Sequence, residues 1–141
     1  MWGWWRYIHE RLLRYWRAWA GPRTLGQRGE YAARRYLQAR GYRILHVNYE
    51  ILGGELDIVA LDGRTIVFVE VKTRKDESAE AALSAVDVEK QRQLSRVALA
   101  YLRRYHLLTE RARFDVCGVI WPEQGGQPII QHIRHAFEAS F

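Results

Sequence analysis

Three ionisable residues stand out by type and spacing. Asp57, Glu70 and Lys72 sit in two apolar runs rich in β-branched residues, split by Asp62-Gly63. An Asp-Gly pair between such runs is the preferred two-residue type I′ hairpin turn. Taken as the turn, it pairs Leu61 with Arg64, Ile58 with Val67 and Asp57 with Phe68. Glu70 is then the diagonal neighbour of Asp57, roughly 7–8 Å away and within reach of a shared ion. Alternation places Asp57, Val59, Leu61, Ile66, Phe68, Glu70 and Lys72 on one face, and Leu56, Ile58, Ala60, Val67, Val69 and Val71 on the other. Both faces are apolar, as in a central strand pair covered above and below. Two acids and a lysine close one end of it.

The chemistry follows from the charges. Two ionised carboxylates at about 4 Å repel by about 4 kcal/mol at an effective dielectric near 20. A lysine offsets part of that, and a divalent cation offsets more. Magnesium suits the set, because it takes one or two carboxylates and completes its shell with water and phosphate oxygens. Lys72 beside it could orient or deprotonate an attacking water, or stabilise charge developing on a phosphate. The same three residues would also serve as a cross-strand ion pair at a solvated strand end. The apolar surroundings weigh towards a site, since a charge beside a buried sheet usually has a partner or a task.

The flanking elements are legible around this centre. Thr24 and Gln27 form a capping box for a helix that Gly41 ends, with Leu25, Tyr31 or Ala32, Tyr36 and Ala39 as its buried stripe. Residues 42–49 read as a first strand, and Gly53-Gly54 turn the chain into the central hairpin. Residues 73–80 are polar and read as a loop. Asp87 caps a helix reaching about Tyr105, with Val88, Leu94, Val97, Ala98, Tyr101 and Leu102 inward. Residues 113–121 form a fourth strand with Cys117 in the core, and Ile129 to Ile133 a short last one. His132 and His135 lack local ligand partners and read as surface residues.

The text around these landmarks resembles a known family. Gly54-Glu55-Leu56-Asp57 followed by Val69-Glu70-Val71-Lys72-Thr73-Arg74 is similar to the D…ExK signature of the restriction-endonuclease-like, PD-(D/E)xK nuclease superfamily. Gly26-Gln27-Arg28-Gly29-Glu30, Gly41-Tyr42-Arg43-Ile44-Leu45, Asn48, Lys90 and Arg113-Phe114-Asp115-Val116 narrow it to the small bacterial YraN-like family, itself likened to Holliday-junction resolvases. The match runs from about Thr24 to Trp121. The resemblance implies an α/β fold, a restriction-endonuclease-like three-layer sandwich with a central mixed sheet flanked by helices, in the order α-β-β-β-α-β with a further short strand. It implies Asp57 and Glu70 as ligands of Mg2+ or Mn2+, the Val71 carbonyl as a third, Glu30 as a further acid and Lys72 as the catalytic lysine. Lys90, Arg74 and Arg113 would meet nucleic-acid phosphate. The run Ala79-Glu80-Ala81-Ala82-Leu83 departs from the family, whose members tend to carry a glycine or aromatic there. That bears on substrate preference more than on the metal.

Charge qualifies the partner. The net charge is +6, compatible with a polyanion. Half of it comes from residues 1–22, where Arg6, Arg11, Arg14 and Arg17 face only Glu10. The body is mildly basic, which argues against a solitary, tight, non-specific binder. In the opening segment Trp5, Ile8, Leu12, Trp16 and Trp19 recur at helical spacing, away from most arginines. Arginines interrupt any signal-peptide core or membrane span. The helix is expected to pack on the body or a second subunit, with membrane-surface or nucleic-acid contact as the other uses. The expected division is this helix, 1–22, and a nuclease domain, 23–141. A single cysteine excludes an intramolecular disulfide and a cysteine zinc cluster, and suits a reducing cytoplasm. Three functions remain: an endonuclease cutting DNA, branched or junction DNA included; a nucleic-acid-binding module with the nuclease fold; and a peripheral membrane or scaffold protein. A homodimer would supply two active sites for paired cuts.

Overall fold

The computed structural model describes residues 24–75, 81, 84–122 and 125–141. The opening helix expected over 1–22, the domain boundary after it and most of the divergent loop lie outside them. The order is α1 (Leu25–Ala39), β1 (Arg43–Ile51), β2 (Gly54–Asp62), β3 (Thr65–Lys75), α2 (Val88–Arg104), β4 (Ala112–Trp121) and β5 (Ile129–Phe137). The strands form one sheet in sequence order. β1, β2 and β3 are antiparallel, β3 and β4 parallel, and β4 and β5 antiparallel. A parallel pair requires a crossover, and α2 is that crossover.

Each face of the sheet has its own core. Ala33 and Leu37 of α1 pack on Ile58, Ala60, Val67, Val69, Val71, Cys117 and Val119. Leu94, Val97, Ala98 and Tyr101 of α2 pack on Val59, Leu61, Ile66, Phe68 and Val116. The fold is therefore a three-layer, restriction-endonuclease-like sandwich around a mixed sheet. The doubly apolar hairpin is its centre, as its composition requires.

Local details differ from the sequence reading in instructive ways. The central turn is Gly63-Arg64, so Leu61 pairs with Ile66 and Ala60 with Val67. Gly63 has φ +60° while Arg64 is not positive, the pattern of a type II′ turn with glycine first. The register thus moves by two residues, which keeps every β3 side chain on its expected face. Leu56 does change face: it lies in the α2-side core with Val59. The buried residues of α1 are Gly29, Ala33, Arg34 and Leu37; of the expected stripe, Ala32 and Tyr36 are partly buried and pack on that core, while Tyr31 and Ala39 are exposed. A Cβ at Gly29 would collide with Thr73 Oγ1, so close approach of helix to strand sets the buried face. The capping box at Thr24 and Gln27 forms with both bonds at 3.1 Å. Val88 is exposed rather than inward. β3 continues through Thr73, Arg74 and Lys75, paired with β4, where a loop was expected. β5 runs to Phe137, beyond the expected end at Ile133.

Candidate functional site

The site grows out of a fork between β2 and β3. Their ladder ends at Ile58 opposite Val69; one step further, Asp57 stands level with Glu70 rather than diagonal to it. Here the backbone amide of Val71 donates to Asp57 Oδ2 at 2.8 Å. A side chain has taken a donor that a neighbouring strand would otherwise accept. The same residue marks where β2 switches faces between Leu56 and Ile58. Asp57 is therefore fixed by the backbone, and only 7% of it is exposed.

Glu70 is 5% exposed. Its Oε1 faces two ammonium groups, Lys72 Nζ at 3.5 Å and Lys90 Nζ at 3.6 Å. Its Oε2 is buried and has no hydrogen-bond partner among the described residues. A buried carboxylate oxygen left so is costly and uncommon. Burial pushes the Asp57 carboxyl well above its usual range; the nearby Glu70 charge adds to this, and the Val71 amide only partly opposes it. Glu30, from α1, is raised too, first by burial and then by Glu55, while a hydrogen bond from Asn48 pulls it down. Glu55 also acts on Asp57.

The site thus gathers Asp57 from β2, Glu70 and Lys72 from β3, Lys90 from α2 and Glu30 from α1. Three further relations are not legible in the sequence. Glu55 lies within electrostatic reach of Asp57 and Glu30 and raises both carboxyls. It pairs across the β1–β2 ladder with Glu50, a like-charge opposition that usually destabilises. Asn48 adopts φ +50°, a conformation asparagine tolerates, and holds Glu30. Lys90 reaches Glu70 itself. Only the turn of β1 into β2 and the packing of α2 reveal these.

Other expected residues lie elsewhere. Arg74 is on β3 beyond Lys72, partly buried, and bonds the Thr73 carbonyl. Arg113, expected at phosphate, is committed instead to Asp62 at 2.9 Å and Asp115 at 2.9 Å, with Tyr42 at 3.0 Å. His132 is no surface residue: its side chain is 5% exposed and Nε2 meets Asp115 Oδ2 at 2.7 Å. β5 carries it into the sheet, and the partner is distant in sequence. His135 is exposed, as expected. Cys117 is buried and unpaired.

Among the described residues no three His, Cys, Asp or Glu side chains converge as a ready-made metal cage. Asp57 and an orphaned Glu70 oxygen fit a hard cation that draws its other ligands from carbonyl, water and phosphate. No helix among the described residues is long and apolar enough to cross a membrane.

Fold and fork together define a restriction-endonuclease-like sandwich with an acid pair and lysines at its centre. Comparison with known sequences then places the protein: residues 29–119 match the model of the uncharacterised protein family UPF0102, and the chain belongs to that family. It is 49% identical over 121 residues to a UPF0102 protein of Pelobacter propionicus, covering 84% of this chain and 86% of that one. Its counterpart in Geobacter sulfurreducens is 46% identical over 121 residues, with 84% and 92% covered. That of Geotalea uraniireducens is 43% identical over 122 residues, with 86% and 95% covered.

Proposed function

We propose that the protein is a metal-dependent endonuclease that hydrolyses DNA phosphodiesters, with branched or junction DNA as its substrate class. The observation that carries this reading is the buried, unpartnered Glu70 Oε2 beside Asp57, with two lysines on the opposite oxygen. An ion pair serving stability alone would leave no oxygen unsatisfied. Asp57, Glu70 and the Val71 carbonyl would hold magnesium or manganese, with Glu30 as a further acid within electrostatic reach. When bound, the cation supplies positive charge to the scissile phosphate and acidifies water near it.

This chain's own groups account for the rest. Asp57 is aimed by the Val71 amide, so its free oxygen keeps one direction. Lys72 stands two residues along the rigid central strand from Glu70, where its ammonium can orient the attacking water and stabilise charge on phosphate oxygens. Its side chain is 21% exposed, buried enough to act in a low dielectric and open enough to meet substrate. Arg74, on the same strand and beyond Lys72, is placed to follow the phosphate backbone outwards.

The test is cleavage of linear, flapped and four-way DNAs with magnesium or manganese. Metal-dependent nicking of at least one branched DNA, lost in Lys72→Ala, is expected. No cleavage of any of them in either metal would sink the reading and leave a nucleic-acid-binding module.

A further inference from the structure

Lys90 has an awkward address. It lies in the first turn of α2, where Asp87 caps the helix by accepting from the Lys90 backbone amide at 2.8 Å. A cation in the first turn opposes the helix dipole, which favours anions there. What holds its side chain is Glu70 Oε1, 3.6 Å away, its one ion-pair partner among the described residues. Lys72 already faces that same oxygen at 3.5 Å. Two ammonium groups therefore crowd one oxygen of a carboxylate whose other oxygen has no partner. For a structural pair the second lysine would be redundant.

We infer that Lys90 is a placeholder for the divalent cation: it neutralises Glu70 while the site is empty and moves to substrate phosphate once the ion is bound. This rests on the proposed function and assigns a device to the same site. Lys72 and Lys90 differ in what they can do. Lys72 belongs to the same central strand as Glu70, two residues away, and its side chain is 21% exposed. Lys90 reaches across from another layer, and its side chain is 29% exposed. A divalent ion on Glu70 repels both ammonium groups, and the one reaching in from another layer, the more exposed of the two, yields. Its backbone stays pinned by the Asp87 cap, so only the flexible stem swings. The charge then sits at a helix N-terminus, beside amides that also attract phosphate.

The test compares wild type with Lys90→Met and Lys90→Arg by calorimetric titration with manganese alone, without DNA. Removing the competing charge should tighten manganese binding by roughly threefold or more, while Lys90→Arg, which keeps the charge, stays near wild type. A lysine that merely braces the fold would act in the opposite direction, because a loosened site binds the ion more weakly. A second arm measures four-way DNA binding with and without calcium in place of the catalytic ion. Lys90→Met should lose affinity only with the ion present. Unchanged or weaker manganese binding in Lys90→Met, with normal binding in wild type, overturns the placeholder and leaves the nuclease reading standing. A wild type that binds no manganese overturns both.

Discussion

Glu70 and Asp115 are both buried carboxylates, on neighbouring strands and one step apart in register, since Val69 is the partner of Asp115. They point to opposite faces of the sheet and have opposite surroundings. Asp115 is 0% exposed, and each of its oxygens is occupied. Arg113 Nε and the His135 amide donate to Oδ1, at 2.9 Å and 3.0 Å. His132 Nε2 and Arg113 take Oδ2, at 2.7 Å and 3.2 Å. These partners outweigh the burial and hold its carboxyl below the usual range. Glu70 keeps an orphaned oxygen, and its neighbour Asp57 is pushed the other way. The same sheet thus carries one carboxylate that is satisfied and one pair that is waiting. The first is what structural burial of a charge looks like, and the second departs from it in the way a cation would correct.

The sharpest break between the two regions should come from Lys72. Lys72→Ala should lower turnover at least a hundredfold, about 3 kcal/mol or more of transition-state stabilisation, with DNA affinity within a few-fold. Single-turnover cleavage and a binding titration on the same DNA separate these. A loss of affinity with turnover preserved would make Lys72 an ordinary phosphate contact.

Asp115→Asn should spare the cation site and strike the fold. Leaving Arg113 buried beside a neutral amide should cost about 3 kcal/mol of stability, read from urea unfolding. The difference from wild type should be full at neutral pH, because a carboxyl with a depressed folded pKa stabilises above its unfolded pKa. It should fade as pH falls through the lower folded value. A variant as stable as wild type at pH 7 would mean that the network contributes nothing.

How much of this contrast was written in the chain depends on distance. Asp57, Glu70 and Lys72 are legible because hairpin alternation is local: a turn misplaced by one residue, which moves the register by two, still leaves Glu70 and Lys72 on the correct face. The apolar runs likewise announced a sheet covered on both sides. The stripe of α1 is only partly legible: Ala32 and Tyr36 do pack on the core, but the contact of Gly29 with Thr73, rather than the size of the side chains, centres the buried face on Gly29, Ala33 and Leu37. His132 reads as solvent-facing because its partner, Asp115, meets it only through the β4–β5 pairing; Arg113 reads as phosphate-facing because its other partners, Asp62 and Tyr42, are distant in sequence, although Asp115 stands two residues along its own strand. Lys90 was read as a phosphate contact near a helix start; only the packing of α2 over β3 shows it on Glu70. Motif residues on one hairpin can be found from spacing. Their counter-charges from other layers cannot.

Opposite slopes with pH should distinguish the regions more finely. The Asp57 carboxyl is raised, to about 8, so in metal-free protein the unfolded chain gives up this proton near pH 4 while the folded one retains it. Stability therefore falls as pH rises from about 4 towards 8, the reverse of the Asp115 contribution. Asp57→Asn removes that proton exchange, so it should gain on wild type across the window and be the more stable protein at pH 8. Thermal unfolding of both in a chelating buffer measures the difference. A constant gap between pH 5 and 8 would show that Asp57 is ionised throughout.

The smallest effect addresses the comparison most directly, because it asks whether the waiting pair receives what the satisfied one does not need. A ligand bound to the folded state alone stabilises it by RT ln(1 + [L]/Kd), about 1.4 kcal/mol at ten times Kd. For a chain of 141 residues that is a rise in Tm of roughly 4 °C. Manganese should produce such a rise in wild type and little or none in Asp57→Asn. Asp115→Asn should melt lower at the outset yet show the wild-type increment, since its lost contacts lie on the other face. An equal increment in Asp57→Asn would place the ion elsewhere on the molecule. An increment lost in Asp115→Asn alone would tie the two faces together and dissolve the distinction between them.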